Sequence, residues 1–237
     1  MKYPSFKRTR ATFLIGAIIF GLSYTSYAQS SIGVQAGMNF SNVRMTDEQG
    51  NSSSTESNPG IRIGLTADFR VADDFYVQPA IFYSEKGFKQ KSGGYGGTAT
   101  NFRVKANYLE LPVNLLYRPQ LGNIGISIGA GVYGGYGTGG NWKSDSGVLI
   151  GDIQIGSEGN VVFNNDGWEG GDLESYMYGR PVDYGTNFLL GYQLMQQLSV
   201  QVQAQVGLAD LTPKYGDFQP ERKLKNRNFA VSLGYRF

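Results

Sequence analysis

Apolar and polar residues alternate with a period of two through eight stretches of the chain: residues 31–44, 60–71, 75–87, 102–118, 124–138, 183–194, 198–211 and 227–237. In the last of these, Phe229, Val231, Leu233, Tyr235 and Phe237 take every second place, with Ala230, Ser232, Gly234 and Arg236 between them. Successive side chains of a β-strand point to opposite faces, so the pattern predicts eight strands, each with one apolar face. The connections alternate as well. Residues 72–74, 119–123 and 195–197 are short, whereas residues 45–59, 88–101, 139–182 and 212–226 are long. Short turns at one end, long loops at the other and an even strand number predict an all-β fold: an eight-stranded antiparallel up-and-down transmembrane β-barrel with both termini on the short-turn, periplasmic side.

A secreted soluble barrel of lipocalin type has the same topology, and the polar faces discriminate between the two. A soluble exterior is roughly 25–35% charged. Here Gly33, Gln35, Gly37, Asn39 and Ser41 carry no charge, nor do Gly125, Ser127, Gly129 and Gly131, nor Ser199, Gln201, Gln203, Gln205 and Gly207. Small uncharged side chains suit a narrow lumen in which opposite walls meet. The apolar faces, such as Ile61/Ile63/Leu65 and Leu109/Leu111/Val113/Leu115, then point to lipid. Phe69, Phe75, Tyr117, Tyr192, Tyr235 and Phe237 fall near the short-turn ends, and Phe40, Tyr83, Tyr136, Tyr184 and Phe229 near the long-loop ends. Two aromatic girdles are expected there. Pro79 and Pro112 each remove a ladder hydrogen bond inside a strand, which predicts bulges at both.

The N-terminus adds a destination. Lys2, Lys7, Arg8 and Arg10 precede a thirteen-residue apolar run at 11–23, too short to span a bilayer as a helix, and Ser26 and Ala28 make a small-x-small exit. This is the pattern of a secretory signal peptide over residues 1–28, cut between Ala28 and Gln29. With no Cys after that site, lipid anchoring is excluded. Without the leader the 21 basic residues fall to 17 against 19 acidic ones, so nothing points to nucleic acid. An exported chain with no Cys, 34 Gly and 30 Tyr plus Phe must draw its stability from β structure rather than disulfides.

Four stretches resemble the PorT-like outer-membrane β-barrel family: "GVQAGMNFSNV" (33–43), "YVQPAIFYSEKGF" (76–88), "NYLELPVNLLYRP" (107–119) and the final "VSLGYRF". They occur in the family's order and cover four of the eight strands. The resemblance implies an outer-membrane barrel whose last strand is read by the outer-membrane assembly machinery, with Leu233, Tyr235 and Phe237 as the insertion signal. It also implies an accessory role in an envelope secretion or gliding-related machine.

Candidate chemistry is sparse. The chain has no His, which removes the usual general base of envelope hydrolases. Hydrolysis without His or Cys would need paired carboxylates, Ser–Lys or a carboxylate-held metal, and no local spacing proposes one. On the polar faces, Arg62, Asp68, Arg70, Glu110 and Arg236 are the charged residues expected to meet in the lumen. Unpaired charges there are costly, so they are expected to pair, either as a plug that locks the barrel or as a proton or solute path. In the acidic loop, "NNDGWEGGDLE" (164–174) resembles a calcium loop in composition. Its spacing fails, since with Gly167 as the turn glycine Val162 and Leu173 fall on ligand positions. Residues 148–155 and 160–163 are expected to pair as a hairpin above the membrane. Trp142 and Trp168 mark candidate contact points in that loop. The sequence thus predicts a monomeric, non-enzymatic barrel without cofactor or metal, surrounded by outer-membrane lipid and open to envelope protein partners. The other readings are a conduit for small solutes or hydrophobic ligands or a surface binding protein, and, third, an envelope enzyme.

Overall fold

A computed structural model describes residues 30–119 and 125–237. The predicted cleavage site at Ala28 and Gln29 lies outside the described residues. Eight long strands form the frame: β1 (Ser30–Thr46), β2 (Asn58–Ala72), β3 (Phe75–Gln90), β4 (Phe102–Tyr117), β5 (Gly125–Lys143), β6 (Val182–Gln193), β7 (Leu198–Gly207) and β8 (Lys223–Arg236). Each pairs antiparallel with the next, and β8 returns to pair with β1 from Gly33↔Arg236 to Thr46↔Lys223, closing the barrel. Closure leaves the barrel wall no unpaired edge. Ser30 and Phe237 both lie at the short-turn end, where the Phe237 amide donates to the Ile32 carbonyl at 2.9 Å.

The outer surface changes character partway along the strands. On β4, Leu109, Leu111, Val113, Leu115 and Tyr117 face outward and are exposed, while Glu110, Pro112 and Asn114 face inward. Above Leu109 the pattern inverts: Arg103, Lys105 and Asn107 point out, and Phe102, Val104, Ala106 and Tyr108 are buried inside. The same inversion occurs on β1 between Phe40 and Val43, and on β8 between Phe229 and Arg227. The apolar outer belt therefore covers about nine residues per strand, the length a tilted strand needs to cross a bilayer. Beyond the belt the barrel continues as a wall that is polar outside and apolar inside, as in a soluble protein. Phe40, Tyr83, Tyr136, Tyr184 and Phe229 ring the belt at the long-loop end, all exposed.

Two local expectations are corrected. No register shift occurs at Pro79 or Pro112. The β3–β4 ladder skips the pairs Ala80/Pro112 and Ile81/Leu111, then resumes in the same register at Phe82↔Glu110. A missing N–H thus opens a gap without inserting a residue. Register shifts lie instead between Arg70 and Ala72, beside the first short turn, and where Asn107 pairs with Gly139 and Tyr108 with Gly137, leaving Thr138 over. Gly139 and Gly140 there have φ of 138° and 152°, and a Cβ on Gly140 would stand 2.0 Å from the Lys105 carbonyl oxygen, so only glycine fits. Residues 148–155 and 160–163 do not pair with each other. Val148–Ile150 pairs with Ile153–Ile155, whereas Glu158–Phe163 joins the end of β5 at Asn141↔Asn160 and runs parallel to Tyr176–Gly179. The tight Gly151–Asp152 connection lets the first segment fold on itself, and the extended β5 offers the second a ready partner.

Candidate functional site

The lumen is filled in layers. At mid-depth, polar-face positions of four strands bring Arg62 (β2), Lys86 (β3), Glu110 (β4) and Asp183 (β6) together, each at most 2% exposed. The Lys86 ammonium lies 2.6 Å from Glu110 Oε1 and 3.0 Å from Asp183 Oδ2. Ser84 donates to Glu110 Oε2 at 2.9 Å, and Arg62 Nη2 stands 3.9 Å from the same oxygen. Arg62 also donates to Gln203 and lies with its guanidinium carbon 3.8 Å from the Phe82 ring centroid. Tyr133 and Asn226 both donate to Asp183 Oδ2, at 3.3 and 3.0 Å. Two cations and two carboxylates cancel, which is the condition for holding four charges away from water. Amide side chains extend the lattice, with Asn228 donating to Asn39 at 3.2 Å and to Gln205 at 3.0 Å.

Towards the long-loop end an apolar layer seals the lumen. Phe88, Phe102, Tyr108, Trp142 and Tyr178 are buried there, and Phe163 and Tyr176 of the loop strands press against them. Tyr108 and Phe163 meet edge-on at 5.3 Å, and Tyr95 meets Trp142 at 5.3 Å. Tyr178 ties this layer to the charged one by donating to Asn226 at 2.7 Å. Burial pushes the Tyr176 and Tyr178 phenols well above their usual range, so both stay neutral. Towards the short-turn end the described residues leave an open polar cavity of about 560 Å³, lined by Gln35, Asp68, Gln78, Arg118 and Gln201 among others.

The structure separates the charges that the polar-face pattern grouped. Arg62 and Glu110 belong to the central cluster. Asp68 instead pairs with Arg118 at 2.8 Å and accepts from Gln78 at 2.8 Å near the short-turn end. Arg70 turns to Asp73 in the adjoining turn at 3.0 Å, and Arg236 donates to the Gln196 carbonyl at 3.2 Å. Four rungs or more along a strand exceed the reach of these side chains, so one network over the whole barrel length cannot form. Lys86 and Asp183, the centre of the cluster, escaped the sequence reading because each sits at a segment boundary. Both share the inward parity of their strands, which is the signal that finds them.

Residues 27–212 match the outer membrane protein beta-barrel domain family. The chain belongs to that family. Among solved structures, this outer-membrane barrel is similar to OprG of Pseudomonas aeruginosa (14% identity over 89% of this chain and 97% of that one, TM-score 0.45). It is also similar to E. coli outer membrane protein W (19%, 89% and 100%, 0.42) and to Ail, the attachment invasion locus protein of Yersinia pestis (11%, 88% and 99%, 0.42). Among curated proteins none matches the chain in sequence.

The two tryptophans of this outer-membrane barrel part company. Trp142 is not a surface contact: it is fully buried, on the extension of β5, and its indole donates to the Glu174 carbonyl at 2.8 Å. The Gly139–Gly140 bulge shifts the alternation by one, which turns Trp142 inward. Trp168 is 77% exposed and stands edge-on to Tyr215 at 5.6 Å, with the exposed Leu173 and Phe218 on the same loops. Nearby carboxylates accept hydrogen bonds from neighbouring groups of the same loop. Asp166 caps a short 3-10 turn by accepting from Trp168 N at 3.0 Å, and Asp172 accepts from Ser175 at 2.7 Å. Among the described residues no cluster of three or more such ligands forms.

Proposed function

We propose that this protein is a closed, non-enzymatic outer-membrane scaffold barrel that works through its surfaces, not through its lumen. The single observation that carries this reading is the double seal, a neutral lattice of four buried charges roofed by an aromatic layer. A path for ions or solutes would need water beside those charges, whereas here they are spent on one another. The long-loop end faces outward and the short turns and both termini face the periplasm. The resemblance to the PorT-like family supports a place beside the components of an envelope secretion machine, with the exposed Trp168, Leu173 and Phe218 as the outer contact points.

In planar bilayers the purified barrel is expected to pass no steady ionic current, measured over the voltage range in which control porins conduct. Steady single-channel steps would overturn the closed-scaffold reading. Extraction from native envelopes in mild detergent is expected to yield a particle much larger than one barrel, with defined companions; a bare barrel would remove the machine from the reading while leaving the seal.

The last strand carries a separate expectation. Leu233, Tyr235 and Phe237 all face the outer surface, and the Tyr235 and Phe237 rings lie 5.4 Å apart. Deleting Phe237 is expected to leave export intact and to strand the chain in the periplasm, seen by membrane fractionation. Normal outer-membrane levels of the truncated chain would remove the insertion-signal role.

A further inference from the structure

The outward residues just beyond the apolar belt are not alike around the barrel. On the β3–β5 side three cations each have a carboxylate: Lys105 pairs with Glu85 at 3.3 Å, Arg103 with Asp145 at 4.0 Å and Lys143 with Glu158 at 2.7 Å. Lys89, opposite Arg103, is the exception among the described residues. On the β8–β1 seam, Arg44, Lys223, Lys225 and Arg227 make no ion pair among the described residues. The register makes this seam costly. Arg44 lies directly opposite Lys225, two register positions from Asn42↔Arg227 and two from Thr46↔Lys223, on the same face of the wall. Like charges directly opposite on adjacent strands repel. Two loop carboxylates beside the seam are engaged by backbone amides: Asp210 accepts from the Leu224 amide at 3.2 Å, and Asp47 accepts from the Asn51 amide at 2.7 Å.

Depth identifies what neutralises the seam. Phe40 pairs with Phe229 at the last lipid-facing rung, and both are exposed. Arg227 follows two residues on, about 7 Å along the strand. The polar headgroup region on each side of a bilayer is about 5–8 Å thick. Arg227 therefore stands at headgroup depth, over a lipid-facing aromatic pair, on the outside of the wall. Arg44 and Lys225 start about 14 Å along the tilted strand from Phe229, within reach of that layer through their long side chains, and Lys223 stands above them. A soluble anion would meet them only from water, whereas a lipid can seat its acyl chains on Phe40 and Phe229 while its phosphates reach the cations.

We infer that the β8–β1 seam is a binding site for a phosphorylated lipid headgroup, of the phosphate-bearing glycolipid class in the outward leaflet. This rests on the proposed orientation, with the long loops outside. Arg44, Lys225 and Arg227 hold the phosphates by charge-assisted hydrogen bonds, and Lys223 adds charge at the upper rim.

The test uses the full-length barrel in neutral detergent micelles, with a bisphosphorylated diglucosamine lipid and its dephosphorylated form as probes and bound adducts counted by native mass spectrometry. The wild type is expected to retain the bisphosphorylated lipid and not the dephosphorylated one. In the triple variant Arg44→Gln/Lys225→Gln/Arg227→Gln, affinity should fall roughly a hundredfold, each charge near an anionic surface being worth about fivefold. The triple variant Arg103→Gln/Lys105→Gln/Lys143→Gln, on the paired side, should bind as the wild type does; both variants are checked for the compact, heat-modifiable band of a folded barrel. Unchanged binding by the seam variant, equal loss in both variants, or displacement of the lipid by equimolar inorganic phosphate overturns the proposal. Micelle binding is blind to which way the barrel faces. A wrong orientation shows itself separately, when Asp152→Cys on intact cells is not labelled by an impermeant maleimide, and that result overturns the choice of leaflet and lipid.

Discussion

Replacing Lys86 by Met is expected to lower the unfolding free energy of the barrel by about 3–5 kcal/mol, the usual cost of removing one partner from a buried ion pair. The urea midpoint of the refolded protein, followed by the shift between folded and unfolded bands on unheated gels, measures it. The reason lies in the balance at mid-lumen. Lys86 alone faces both Glu110 and Asp183, at 2.6 and 3.0 Å. Arg62, the other cation, touches only the far oxygen of Glu110 at 3.9 Å. Without Lys86 the lumen holds two carboxylates against one guanidinium, and Asp183 keeps only the neutral donors Tyr133 and Asn226. The double variant Lys86→Met/Asp183→Asn restores the balance, because Arg62 and Glu110 then cancel and the amide oxygen introduced on β6 can still accept from both neutral donors. It is expected to recover at least half of the loss. Equal instability of the single and double variants would mean that Lys86 contributes through packing against Tyr108 and Tyr133 instead of through charge.

Replacing Trp142 by Ala is expected to cost about 3–5 kcal/mol at the long-loop end, the range for emptying a buried aromatic site. The loss should be local, since Trp142 sits beyond the apolar belt, among Tyr95, Phe102 and the loop strands. Proteases added to the refolded barrel are therefore expected to cut within residues 144–175 while the belt strands stay intact. Trp168→Ala is the internal comparison. Its side chain is largely exposed, and a surface substitution of this kind changes stability by about 0.5 kcal/mol or less. If the two variants were equally protease-sensitive, Trp142 would not be the residue that fastens the loop to the barrel mouth.

The inversion along the strands leaves a trace in the sequence. In "FRVKANYLELPVNLLY" Phe102, Val104, Ala106 and Tyr108 occupy even positions and Leu109, Leu111, Val113 and Leu115 odd ones, and the adjacent pair Tyr108–Leu109 marks the switch. A strict period-two reading takes such a slip as noise. Physically it records the surface of the bilayer, where the solvent outside the wall changes from lipid to water and the apolar face must change sides.

What the sequence by itself determined is the set of properties that depend on local periodicity and on order along the chain. Eight strands, their inward and outward faces, the alternation of turns and loops and the aromatic girdles all follow from a two-residue repeat, and the repeat is local. What only the tertiary structure decided are the pairings set by closure of the barrel. Lys86 and Asp183 meet from positions 97 residues apart, and Arg44 faces Lys225 only because the first strand pairs with the last. Trp142 turns inward through one bulge at Gly139–Gly140, which shifts parity without leaving any trace in the alternation before it. The loop from residue 144 to 181 is drawn into the mouth because the inner wall there is already apolar and burial of its aromatic residues is favourable. Register and bulges act at a distance, and a single-residue shift in either exchanges lumen for lipid.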